Sequence, residues 1–174
     1  MKKIYKKYCN DIQNPALGAF LIYTFAKLFY QRKKNYLNLL DVLIFIPLIM
    51  VKDTREILYC LDTNGKSHKI IKISKFYEKV GYIGKRDNNL TLGTINGVIL
   101  RFREFIMASI IFAVDTKLVE LTSEGYIKPS DIHFPNFDLN KELSVLVSAT
   151  IVLSKLYADD TDFNKVLKNL EVIL

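Results

Sequence analysis

The clearest pattern along the chain is an apolar segment that follows a helix start signal, "NPALGAFLIYTF". Asn14 is a favourable N-cap, and Pro15 suits the first helical position, where its missing N–H costs nothing. The pattern predicts a helix from Pro15 to about Lys33, with Asn35 as its C-cap. Apolar positions lie nearly all round this helix, so it must be covered by its own domain, by another protein or by lipid.

A second apolar segment, "LLDVLIFIPLIM", contains Pro47, which removes a backbone donor and kinks or breaks the helix. The sequence "TREILYCL" after it predicts a short helix capped by Asp53 or Thr54. Arg55 is expected to make a charge-assisted contact with the segment that the proline interrupts. An Asn-Gly pair follows, so residues 57–73 form either a β-hairpin or two helices, and the helical alternative is preferred.

Three further patterns complete the predicted fold. "INGVILRFREFIMASIIFAVD" predicts a second central helix, from about Leu92 to Thr116. "KLVELTSEGYIKP" alternates apolar and polar positions around a turn at 123–125, which predicts a short hairpin. "LNKELSVLVSATIVLSKLYA" reads as a helix. The chain is therefore predicted to be mainly α with a small β-hairpin, a compact, helical, winged-helix-like domain spanning 1–174 with a basic tail at 1–11.

Composition supports one globular domain. The chain has 174 residues, of which 50% are hydrophobic, enough for a substantial core. Its longest apolar runs, 42–51 and 105–114, hold ten residues each, whereas a membrane-spanning helix needs about 20. The lysine-rich N-terminus lacks the apolar run of a secretory signal, so we expect a cytoplasmic protein without a membrane span.

Groups suited to catalysis or metal binding are sparse. The chain has no phosphate-binding, dinucleotide-binding, nucleophile-elbow or zinc-protease motif. Its cysteines and histidines lack metal-ligand spacing, and the one dense carboxylate group reads as helix capping. These residues are Cys9, Cys60, His68, His133, Asp159, Asp160 and Asp162. The sequence therefore predicts neither an enzyme nor a cofactor.

Positive charge is concentrated in the first half of the chain. Residues 1–87 hold 17 Lys and Arg against 7 Asp and Glu, while residues 88–174 hold 8 against 11. Two groups carry the excess: Arg32, Lys33 and Lys34, and then Lys66, Lys69, Lys72, Lys75, Lys79, Lys85 and Arg86. Apolar residues recur at helical spacing from 70 to 80, which predicts a helix with Lys69, Lys72, Lys75 and Lys79 on its outward face. Lysines on one helix face suit phosphate contacts, so both groups are candidates to bind DNA or an acidic partner. A solvated lysine face is the equal alternative.

Several segments, taken in order, resemble a known family. "NPALGAFLIYTF", "LLDVLIFIPLIMVKDTREIL", "ISKFYEKV" and a helix running into "LVELTSEGYIKP" are similar to the middle component of prokaryotic three-component ABC (ABC-3C) conflict systems, which include the Lamassu antiphage system. The residues that carry the most specific part of the resemblance are Asn14, Pro15, Ala16, Pro47, Thr54, Arg55 and Glu56.

The resemblance implies a small non-catalytic adaptor. Such a subunit would bridge an SMC/Rad50-like ABC ATPase to an effector, for example a nuclease, and help to control it, with DNA reached through the complex. The rival hypothesis is a free-standing winged-helix DNA-binding regulator. Against it, the helix before the hairpin contains "FIMASIIFAV", which is too apolar to read base edges.

Overall fold

The computed structural model describes residues 13–52, 54–56, 58, 95–132 and 141–159, with only the backbone at 95–98 and 159. The elements in these ranges are helices α1 (Pro15–Lys33), α2 (Leu39–Met50), α3 (Ile95–Asp115) and α4 (Lys141–Asp159), and strands β1 (Leu37–Asn38), β2 (Val119–Leu121) and β3 (Tyr126–Pro129). Residues 52, 54–56 and 58 are also helical. The choice between a hairpin and helices at 57–73 lies almost wholly outside the described residues.

Helix α1 has the limits that the sequence predicts. The Asn14 side chain accepts a hydrogen bond from the Ala16 N–H at 2.9 Å, which satisfies one of the free donors at the helix start. The C-cap differs from the prediction. Lys34, not Asn35, adopts the left-handed conformation at φ 58°, and its N–H donates to the Tyr30 carbonyl at 2.8 Å.

The three strands form one antiparallel sheet in the order β1–β3–β2. β2 and β3 are the predicted hairpin, and Gly125 in its turn has φ +79°, a conformation that favours glycine. β1 is an addition that the sequence analysis missed, and its Leu37 pairs with Ile127. The mainly helical fold with a small sheet is therefore confirmed, and the described elements follow a winged-helix-like order.

Helix α1 is central, and its own domain covers it. Positions 15–29 are all buried or half-buried, and the helix packs against α3 and α4. On one side Gly18 lies so close to α3 that an added Cβ would stand 2.7 Å from the Ser109 Cβ and 2.8 Å from the Phe105 Cζ. On another, the Phe25 ring stacks on Phe45 of α2 with centroids 3.9 Å apart. The all-round apolar character of α1 thus reflects packing within this chain.

A polar contact holds the chain after β3 against α1. The Tyr23 hydroxyl donates to the Ile132 carbonyl. The Lys27 ammonium donates to the same carbonyl at 2.9 Å and to the Tyr23 hydroxyl at 2.6 Å. The half-buried Lys27 is therefore satisfied by hydrogen bonds within the domain, which explains how a lysine is tolerated beside the core.

Helix α2 continues through Pro47 and ends one turn later. The Val51 N–H donates to the Pro47 carbonyl at 3.0 Å, and Val51 itself is extended, with ψ 124°. Its carbonyl accepts from the Arg55 N–H at 3.0 Å, so the next helical turn begins directly after Val51. Pro47 therefore does not break the helix, although one predicted alternative held that it would, and the break falls at Val51 instead. Thr54, which was predicted as a possible cap, lies inside that turn and is buried.

Within the ranges that the structure describes, no helix is both long enough and apolar enough to cross a membrane.

Candidate functional site

Two of the residues that suggested the family, Asn14 and Arg55, bind the backbone of this chain. Asn14 caps α1, and the carbonyl of Asn14 also accepts from the Gly18 N–H at 3.1 Å. Arg55 is half-buried, and its guanidinium donates to the Met50 carbonyl at 3.2 Å and reaches the Ile49 carbonyl at 3.4 Å. These carbonyls belong to the last turn of α2, where the helix dipole favours a positive charge. The expected charge-assisted contact of Arg55 is therefore present.

Arg55→Ala is expected to lower the free energy of unfolding by about 1 to 3 kcal/mol, because two helix-end carbonyls lose a charged donor. Glu56→Ala is the matched control. Glu56 is exposed and pairs with Lys52 at 3.7 Å in solvent, so its loss should change stability by less than about 0.5 kcal/mol. Thermal melts of both variants provide the measurement. If Arg55→Ala leaves the melting midpoint unchanged but abolishes the activity of the assembled system, Arg55 contacts a partner and has no structural role.

The first basic group lies at the C-terminal end of α1. Arg32 and Lys34 are exposed, and Lys33 is half-buried. The Lys34 ammonium is 5.9 Å from the centre of the Tyr30 ring, which stacks on Tyr36 with centroids 5.2 Å apart. This end of the domain therefore combines positive charge with exposed aromatic rings, a combination that suits an anionic partner. The second group, from Lys66 to Arg86, lies outside the described residues, as does Asp53.

Asp41 is a buried carboxylate that the sequence analysis did not single out. It lies in the first turn of α2 and accepts from the Asn38 N–H at 3.2 Å, while the Asn38 side chain accepts from the Leu40 N–H at 2.9 Å. This reciprocal capping box begins α2 directly after β1. Burial raises the pKa of Asp41, although hydrogen bonds from Tyr157 and Asn38 oppose the rise. Because Tyr157 belongs to α4, Asp41 joins α2 to α4.

The raised pKa of Asp41 predicts a pH-dependent stability. In the folded state Asp41 holds its proton more tightly than in the unfolded chain, so the free energy of unfolding should fall as pH rises from 3.8 through the raised pKa. Denaturant titrations across this range should show the wild type losing stability relative to Asp41→Asn. Tyr157→Phe removes a hydrogen bond that lowers the pKa of Asp41, so the loss of stability should extend to higher pH. If the difference in unfolding free energy between wild type and Asp41→Asn stays constant with pH, the pKa of Asp41 is not raised by folding.

Comparison with known proteins decides the family. The model of the ABC-three component (ABC-3C) system Middle Component 3 family matches residues 3–173. The chain belongs to this family. The match confirms the expected ABC-3C middle component, whereas the assignment to Lamassu stays a prediction. A search of the curated proteins finds no match, and a search of the solved structures finds none.

The outward face of α3 is a further surface of this middle component. α3 directly precedes the hairpin, where a winged-helix regulator would place its base-reading residues. Its exposed side chains include Leu100, Met107 and Ile111, which lack the donors and acceptors that read base edges. The sequence shows the apolar run but not which of its residues face outward. Only the packing shows that part of it faces outward, and this surface suits a protein partner better than bases.

Metal chemistry finds no support in the described part of the middle component. No group of three or more His, Cys, Asp or Glu side chains converges there. Asp159 is the last residue of α4, while Asp160 and Asp162 lie outside the described residues, so the expected capping of a following helix stays a prediction. The polar contacts of Asp41 and Arg55 are made to the two ends of α2, so these charged groups stabilise a helix and do not form a metal site.

Proposed function

We propose that this middle component is a non-catalytic adaptor subunit of a Lamassu-like antiphage defence complex in the cytoplasm. It bridges an SMC/Rad50-like ABC ATPase to an effector such as a nuclease and helps to control that effector. The observation that carries this proposal is the family match over residues 3–173, since a middle component works with an ABC ATPase and an effector. The adaptor needs no cofactor for this role.

The packing supports an adaptor in which the core and the contact surfaces are separate. α1 is covered by its own domain, and two of the motif residues, Asn14 and Arg55, stabilise helix ends. Within the described residues, the surfaces that suit partners are the basic, aromatic end of α1 and the apolar outward face of α3. An obligate contact of this kind should bury about 2,000 Å² or more in total.

Co-expression with the neighbouring ATPase and effector tests the adaptor. We expect a stable complex that co-purifies, whereas the chain alone should behave poorly as a monomer because of its apolar surface. A well-behaved monomer that ignores the ATPase at low salt would contradict the proposal. Gene neighbourhood is the simplest supporting observation, since an ATPase gene and an effector gene should lie beside this one.

The second basic group is proposed to contact DNA held by the assembled complex. Its lysines would supply phosphate contacts that do not depend on sequence. Changing Lys69, Lys72 and Lys75 to Glu should weaken DNA binding by the whole complex and reduce its salt slope by up to about three units. Filter binding at several salt concentrations measures both effects. The matched control changes three exposed lysines elsewhere, Lys52, Lys117 and Lys141, to Glu.

The possible results of the triple variant separate three readings of this basic group. An unchanged salt slope in an intact complex would reject the DNA contact. A complex that falls apart would assign the lysines to an acidic surface of a partner subunit. If the triple variant and the control weaken DNA binding equally, binding depends on the overall charge of the protein and not on this basic group.

The winged-helix-like order of elements favours one alternative, a DNA-binding regulator. Such a regulator would bind a specific DNA duplex on its own, with a recognition helix in the major groove. The apolar outward face of α3 argues against it. The test is whether the isolated chain binds DNA from its own promoter more tightly than unrelated DNA. Such specific binding would establish the regulator and reject the adaptor proposal.

A further inference from the structure

An apolar stripe runs along the outward face of α3. It consists of Leu100, Glu104, Met107, Ile111 and Val114, whose positions are alternately four and three residues apart. Its four apolar members are between 37% and 67% exposed. A stripe of exposed apolar side chains on a well-packed helix, interrupted once by Glu104, marks an interaction surface.

The opposite face of α3 is already used by the domain. Phe102, Ile106, Ser109 and Ala113 are buried, and the helix packs against α1 and α2. The stripe is therefore held on a fixed helix whose inner face is occupied. Spacing of four and three residues is the seam of a coiled coil, so the occupant that fits the stripe is another α-helix.

Charges beside the stripe identify a helix that would fit. Arg101 and Asp115 lie on the same edge of α3, two heptads apart and near opposite ends of the stripe, and both are exposed. A parallel copy of α3 would place Glu104 beside Glu104 in the seam, where the two carboxylates repel. An antiparallel copy instead places Arg101 of each chain beside Asp115 of the other. The stripe is thus complementary to itself in the antiparallel direction.

We propose that two copies of this chain associate through an antiparallel pairing of α3. The two-fold axis passes near Ala108, which lies midway between Arg101 and Asp115 and whose small side chain permits close approach. Leu100, Met107, Ile111 and Val114 form the apolar seam. Glu104, the polar position in the stripe, weakens the pair and fixes its register, as buried polar residues do in coiled coils. The interface is isologous, so each chain contributes the same surface.

This proposal does not depend on the adaptor role. A short helix pair is a small interface, so the dimer should be reversible, with a Kd of roughly 1 to 50 μM. Two-fold pairing would nevertheless give the complex two copies of every other contact surface. The basic end of α1 would then be presented twice.

Analytical ultracentrifugation of the isolated chain, at concentrations up to about 200 μM, tests the dimer. Wild type should dimerise, and Ile111→Glu should weaken dimerisation at least about 30-fold, because each dimer buries two such residues in the seam. Leu40→Glu is the matched control. Leu40 is 46% exposed on α2, away from the stripe, so this variant should dimerise like wild type. Circular dichroism melts verify that each variant is folded.

A charge exchange tests the antiparallel direction. Arg101→Asp alone and Asp115→Arg alone should each weaken the dimer about 10-fold, because each change creates two like-charge pairs across the axis. The double variant restores both opposite-charge pairs, so it should dimerise within about threefold of wild type. These surface changes keep the test decisive if Ile111→Glu fails to fold.

Other results overturn the proposal. A wild-type chain that stays monomeric throughout the concentration range rejects the dimer, as does a dimer that Ile111→Glu and both charge variants leave intact. If wild type is monomeric and Ile111→Glu loses the co-expressed ATPase, the stripe belongs to the ATPase contact, and the adaptor proposal stands without the dimer. If Ile111→Glu lowers the melting temperature strongly and both charge variants dimerise normally, a segment of the same chain covers the stripe.

Discussion

Phe25→Ala is expected to lower the free energy of unfolding by about 4 kcal/mol, a large part of the stability of a domain of this size. Phe25 is fully buried, and its ring stacks on Phe45 of α2 and contacts Tyr157 of α4, with centroids 5.8 Å apart in the second case. Alanine would leave a cavity where three helices meet. The cost combines lost burial with lost ring contacts.

Phe25→Leu provides the conservative control, since it keeps most of the volume and should cost less than about 1.5 kcal/mol. Phe29→Ala is the positional control. Phe29 is half-buried one turn further along α1 and contacts Tyr157 but lies nearer to the surface, so its loss should cost clearly less than that of Phe25. Urea midpoints at a constant m-value give the comparison. Equal costs for the two alanine variants would mean that Phe25 is not the centre of the core.

Gly18→Ala is expected to destabilise the protein by about 2 to 3 kcal/mol, although alanine is intrinsically the better helix former. The added Cβ would stand 2.7 Å from the Ser109 Cβ, 2.8 Å from the Phe105 Cζ, and closer still to the Ser109 Oγ. The Ser109 hydroxyl also donates to the Phe105 carbonyl at 2.7 Å, so its side chain is held in place. Helices α1 and α3 would therefore have to move apart.

A double-mutant cycle isolates this close approach. Ser109→Gly removes the two nearest atoms, so adding Gly18→Ala in that background should cost clearly less than in wild type. The comparison variant is Gly125→Ala, which is strained by its φ of +79° but has no atom within 4 Å of the new Cβ. Its cost should be about 1 kcal/mol and independent of Ser109. If the costs of Gly18→Ala and Ser109→Gly are additive, the new Cβ does not clash with Ser109, and other parts of the structure move to make room for it.

Local signals in the sequence predict a large part of this fold. The Asn14–Pro15 pair gives the start of α1, because capping depends on residues within one turn of the helix end. The hairpin follows from its own turn residues and alternating strands. The contact of Arg55 with the end of α2 is also local, since it spans five or six residues. Such features require no knowledge of which elements meet.

Long-range packing explains what the sequence analysis missed. Strand β1 is two residues long and exists through its pairing with β3, so it has no periodic signal of its own. Asp41 looks like an ordinary first-turn acid until α4 covers it. The apolar run of α3 indicates burial, but only the positions of α1 and α2 determine which side faces outward. The stripe from Leu100 to Val114 therefore required the structure.

The central position of α1 also sets a delay during synthesis. Its packing partners α3 and α4 begin at residues 95 and 141, long after α1 ends at residue 33. At about 5 to 20 residues per second, a ribosome needs roughly 5 to 20 s to add the roughly 110 residues between the end of α1 and the start of α4. Throughout this interval α1 lacks the partners that cover its apolar surface in the folded protein. The nascent chain is therefore expected to expose α1, and to favour chaperone binding, until α4 is added and covers it.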